Sequence, residues 1–273
     1  MNKSLKLMGQ IAVLALSLVI VSCNNDDDSD NNTTFSAENA ALAAKTDATV
    51  DGTMNILETG YDENVDGNRN AASLFPECTV ITIVTSGNGG TITLDFGDGC
   101  QLNNGATVTG LIELQYGPID GGTRTIDYTF QDFTYNNNGV EGGGQIVRTI
   151  ANQDGNPQST VNETITVSFP NTEVTATRVG ERISEWVEGV GSGTWLDNVF
   201  HITGNWNTTF TNGFERDGEV TETLVWKLNC LYFVSGVIEV TQEGFTGGID
   251  YGNGECDNLA TLIINGQEYP IFL

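Results

Sequence analysis

From about Glu77 onward, apolar residues recur at every second position of the chain. Ile81 and Ile83, then Ile92, Leu94 and Phe96, and later Ile126, Tyr128 and Phe130 alternate mostly with Thr and Asp. A strand sends successive side chains to opposite faces, so this period predicts strands with one buried and one wetted face. Gly-, Asn- and Asp-rich breaks separate the runs: SGNGG at 86–90, NNG at 103–105, NNNG at 136–139, DGNP at 154–157, TNG at 211–213 and RDG at 216–218. Their close spacing predicts hairpins joined in chain order. No stretch after residue 75 keeps a helical period long enough for a parallel crossover. Upstream the period changes. Val50, Met54, Leu57 and Tyr61 stand at steps of four, three and four behind an Ala-rich stretch. That spacing predicts a helix over 37–60, weakened at Gly52, with its apolar stripe against the sheet. The expected fold is all-β: an antiparallel meander forming a curved sheet, barrel-like or sandwich, with one N-terminal helix.

The first residues read as a processing signal. Lys3 and Lys6 form a basic end, residues 11–21 an apolar middle, and small Ser22 precedes Cys23. The apolar run is shorter than the roughly 20 residues a membrane span requires. Aliphatic residues, then Ser22, then Cys23 make the order of a lipoprotein signal peptide over 1–22 with lipidation at Cys23. Residues 23–35, which contain NNDDDSDNNTT, then form an acidic disordered tether ahead of a β domain over 36–273. Removing 1–22 takes away two lysines and no acid, which leaves 8 basic against 36 acidic side chains and a formal charge of −28. Such a surface repels nucleic acid and anionic lipid, so attachment to a membrane falls to acyl chains. Solubility of an exported protein accounts for the acidity without a dedicated cation-binding role.

The other four cysteines, Cys78, Cys100, Cys230 and Cys256, imply oxidised pairs in an exported chain, and sequence alone permits three connectivities. Local pairs would each close a loop of roughly 20–25 residues, for about 3 kcal/mol in the chain-entropy picture. The two cysteine-flanked segments look like copies. Leu94-Asp95-Phe96-Gly97-Asp98-Gly99 matches Ile249-Asp250-Tyr251-Gly252-Asn253-Gly254, and an aliphatic strand follows the second cysteine of each. Repeat units at about 77–117 and 229–272 result. In these blocks the chain resembles a family of exported Bacteroidetes lipoproteins with no assigned activity. Members carry D-F-G-x-G-C early and D-Y-G-x-G-x-C-D-N late, found here at Asp95–Cys100 and Asp250–Asn258, ahead of the terminal NGQEYPIFL. The resemblance covers roughly residues 75–273. It implies an outer-membrane, lipid-anchored protein, and Asp26-Asp27-Asp28 is similar to that phylum's signal for transfer to the cell surface.

Several residue groups could carry chemistry, and each also has a plain structural role. Asp62, Asn64, Asp66 and Asn68 match the first half of a calcium loop, D-x-N-x-D-G-N, although Ser73 stands where a bidentate Glu belongs. Asp95 with Asp98, and Asp250 with Asp257, offer carboxylates, but short acids at such turns ordinarily bond their own backbone. Trp186, Trp195, Trp206 and Trp226 could stack on sugar rings if exposed, or fill a core. His201 is the only histidine, and no G-x-S-x-G accompanies it, which disfavours histidine-dependent hydrolysis and His-rich zinc sites. The expected function is therefore a structural or interaction role at the envelope, toward a glycan or an envelope protein, without catalysis. A carbohydrate-binding module and a carboxylate-dependent glycosidase are the alternatives. Calcium is the one cofactor suggested.

Overall fold

The structure, a computed structural model, describes residues 36–65 and 73–273. The signal, Cys23 and the tether lie outside the described residues. Helix α1 (Ala37–Val65) is followed by β1 (Val80–Ser86), β2 (Gly89–Gln101), β3 (Thr107–Tyr116), β4 (Thr123–Tyr135), β5 (Asn138–Thr149), β6 (Gln158–Ser168) and β7 (Thr175–Glu188). Then come β8 (Val199–Phe210), β9 (Glu215–Lys227), β10 (Ser235–Gln242), β11 (Phe245–Asn253), β12 (Leu259–Ile264) and β13 (Gln267–Phe272). All thirteen strands form one antiparallel sheet in chain order, and it stays open, with β1 and β13 as its edges.

The period-two pattern decides which face is interior. Ile92, Leu94 and Phe96 are buried, as are Ile126 and Tyr128. On β4 the phase then slips. Asp132 takes a left-handed conformation (φ 50°) and the pairing of β4 with its neighbours is irregular there. A bulge of this kind inserts one residue and reverses the alternation, so Phe133 faces the core while Phe130 is half-buried. The Gly- and Asn-rich breaks fall on connections between strands, with one exception. The segment RDG at 216–218 lies inside β9. Arg216 points inward there, and Gly218 leaves room against which the Trp206 ring lies.

The helix runs inside the curl of the sheet and not along one surface. Residues Thr53–Asp62 are buried without interruption. Side chains from β4, β5, β7 and β9 all reach α1, and Glu243 in the β10–β11 turn bonds the Ser36 amide and Asn39. Only a sheet wrapped around the helix allows this. The expected stripe of Val50, Met54, Leu57 and Tyr61 is fully buried. The helix extends to Val65, and Gly52 is a seat and not a weak point: a Cβ there would collide with the Tyr135 ring. At Gly60 a Cβ would come within 2.7 Å of Leu94. Both glycines let the helix backbone approach the wall closely.

Of the three cysteine connectivities, the fold brings together the local one. Cys78 and Cys100 lie at bonding distance with Cα atoms 5.6 Å apart, and Cys230 and Cys256 likewise at 5.4 Å. In each pair one cysteine is buried (Cys100, Cys230) and the other exposed.

Candidate functional site: a buried ladder of arginines and carboxylates

Beside its apolar stripe, α1 carries Asp47, Asp51, Asn55, Glu58 and Asp62 at steps of four, four, three and four. That spacing lines them along one face. In a soluble helix such a face would be wetted, yet Asp47, Asn55, Glu58 and Asp62 are buried. Opposite stand arginines that share the phase of apolar neighbours on their strands. Arg148 on β5 follows Ile146, Arg178 and Arg182 on β7 lie between Ala176 and Trp186, and Arg216 on β9 follows Phe214.

The pairs are close. Arg148 Nη2 donates to Asp62 Oδ1 at 2.6 Å, and Arg216 Nη2 lies 3.0 Å from Asp47 Oδ2. Arg178 is the hub: Nε donates to Glu163 of β6 at 2.6 Å, Nη1 to Asp47 at 3.3 Å and Nη2 to Asp51 at 3.2 Å. Its guanidinium carbon also sits 4.2 Å from the centre of the Trp206 ring, a cation–π contact. Arg182 bonds Asp51 and, at 2.6 Å, Asn55 Oδ1. Glu58 accepts from Ser184 Oγ at 2.8 Å. A fifth arginine, Arg124, donates to Tyr61 Oη at 2.8 Å and lies over the Tyr116 ring.

Burial dominates the electrostatics. It pushes the Asp47, Glu58 and Glu163 carboxyls upward, while the neighbouring arginines pull them back. Burial also works against the Arg178 charge, but Glu163, Asp51 and Asp47 more than reverse it, and the net shift is upward. Arg178 therefore stays protonated. A permanently charged fork among three carboxylates is a clamp. It fixes where the carboxyls it holds sit.

The residues singled out from sequence are dispersed. Asp62 and Asn64 lie on the last turns of α1, not in a loop: Asp62 is held by Arg148, and Asn64 Nδ2 donates to Gly60 O at 2.7 Å. Asp66 and Asn68 fall outside the described residues. No group of three or more His, Cys, Asp or Glu side chains among the described residues is arranged to hold a metal. Asp95 and Asp250 make the same turn, each accepting the amide two residues on, Gly97 at 2.9 Å and Gly252 at 2.8 Å. Asp257 likewise accepts from Leu259 at 2.9 Å.

All four tryptophans are buried and give no exposed platform for stacking a sugar. Trp186 stacks on Phe200 and donates to Glu188 O, while Trp226 donates to Cys230 O. His201 is exposed on β8, across from Glu185. On the outer face of β6–β10 an open groove of about 670 Å³ is lined by Glu181, Asp217, Glu219 and Glu239 with Asn162, Asn205 and Asn207. No helix among the described residues is long and apolar enough to cross a membrane. No family model, curated protein or solved structure matches the chain.

The ladder escapes local rules, which place arginines and acids at the surface. The usable signal was phase: arginines in register with apolar strand positions, and acids repeating at helical steps.

Proposed function

We propose that the chain is an exported lipoprotein, processed after residue 22 and anchored in the outer membrane through lipid on Cys23. Its helix-cored β body serves the envelope, on the cell-surface side, as a non-catalytic structural or interaction module. The observation that carries this reading is the division of the cysteines. Four pair locally at bonding distance, which belongs to an oxidising compartment, and the fifth directly follows an apolar run and Ser22. The acidic run behind Cys23 suits a solvated spacer between lipid and body. The matching turns at Asp95 and Asp250 support descent of the two cysteine-clasped hairpins from one duplicated unit. Among the described residues α1 and its ion pairs occupy the interior of the sheet's curl, which suits a structural body.

Metabolic labelling with a palmitate analogue tests the anchor. The expected result is label on the full chain, and loss of both label and membrane retention in Cys23→Ser. A mature protein with an unmodified Cys23, or label that persists in the variant, would overturn the reading.

A further inference from the structure

The two edges of the open sheet are unlike. The β13 edge carries Glu268 and Pro270, a charge and a residue without an N–H, both of which discourage pairing with another chain. The β1 edge, VITIVTS, has no charge and no proline, in a chain of formal charge −26. Val80 and Val84 on its outer face are 60% and 61% exposed. Among the described residues no strand lies along its free side. Such an edge is a template for strand addition.

Its sequence also indicates the occupant. Val80-Ile81-Thr82-Ile83-Val84 reads the same in both directions. Two copies placed antiparallel about Thr82 would therefore put Val80 opposite Val84, Ile81 opposite Ile83 and Thr82 opposite Thr82. Every cross-strand pair would be β-branched, the side chains that fit best across a sheet. The alternation of exposed Val80, Thr82 and Val84 with half-buried Ile81 and Ile83 is preserved in this register, so the outer and inner faces of both sheets would run on across the junction. The strand's neutrality lets two strongly acidic molecules meet where they repel least. We propose that β1 is a self-association edge at which two copies of this chain pair as a two-fold dimer centred on Thr82, joining their sheets into one.

Cysteine cross-linking of the full chain in detergent tests the register. In Thr82→Cys the two new thiols would face each other, whereas in Val84→Cys each would face Val80 and the two thiols would lie four residues apart along opposite strands. Mild oxidation is expected to give a band at twice the chain mass for Thr82→Cys and none for Val84→Cys. Thr82→Lys, an exposed substitution that charges the edge, is expected to abolish association of the otherwise wild-type chain, to remove the dependence of its thermal unfolding on protein concentration and to leave its circular dichroism unchanged. Equal cross-linking of the two cysteine variants would overturn the proposal. So would a Thr82→Cys link to Tyr269→Cys on β13 of another copy, which means head-to-tail addition, or a wild-type chain that remains monomeric.

Discussion

Two sides of α1 are turned into the sheet, and they are held there by opposite means. Toward β2–β4 the helix presents Val50, Met54, Leu57 and Tyr61, and the wall answers with Leu94, Leu114, Tyr116 and the Tyr135 ring. Toward β5–β9 it presents Asp47, Asp51, Asn55, Glu58 and Asp62, and the wall answers with four arginines. Apolar contact is non-directional and tolerates small slips of a helix along its axis. A guanidinium fork on a carboxylate does not, since it fixes both distance and angle. The comparison teaches a division of labour: the apolar side supplies most of the net stability, and the ionic side sets the rotation and axial position of the helix. Desolvation offsets much of the gain from each ion pair, so the ladder adds less to stability than its short distances suggest.

Breaking the ionic side one partner at a time should cost most. Arg178→Ala leaves Glu163, Asp47 and Asp51 without their shared cation, and an expected loss of about 3–5 kcal/mol would appear in urea unfolding. On the apolar side, Leu57→Ala opens a cavity in a fully buried position, and the same measurement should show a loss of about 3 kcal/mol. Gly52→Ala drives a methyl into the Tyr135 ring for about 1–3 kcal/mol, and adding Tyr135→Leu should recover part of it.

The smallest effect sharpens the electrostatics. Glu58 is bonded only through Oε2, and its Oε1 has no hydrogen-bond partner among the described residues. Burial raises its carboxyl, so the folded chain takes up that proton more readily than the unfolded chain. Its contribution is therefore fully present below the ordinary glutamate range and is lost as pH rises through the folded-state value. Glu58→Gln should be near neutral in stability at about pH 7, and the wild type should gain on it as pH falls toward about 4. A gap that widens in the other direction would mean the carboxylate is stabilised as an anion.

Much of the fold was legible because strands and turns announce themselves locally. Ile92-x-Leu94-x-Phe96 and the SGNGG turn need no tertiary context, and Val50, Met54, Leu57 and Tyr61 mark a helical face by spacing alone. The local cysteine pairs follow from two short hairpins. What stayed hidden depends on distant partners. In sequence Asp62 matches a calcium ligand, and only the fold brings in Arg148, 86 positions away, as its partner. The RDG segment resembled a turn because charged and glycine residues usually mark one, whereas Arg216 is buried on Asp47 and Gly218 accommodates Trp206. Local rules place a charge outside by default, and only its counter-charge can bring it in.

A double-mutant cycle on Asp62 and Arg148 tests the ladder most directly. Asp62→Leu and Arg148→Met should each cost about 3–5 kcal/mol alone, while the double variant should lose less than their sum by a coupling of about 1–3 kcal/mol. Losses that add to within about 0.5 kcal/mol would contradict the account, because the helix would then be held by packing alone.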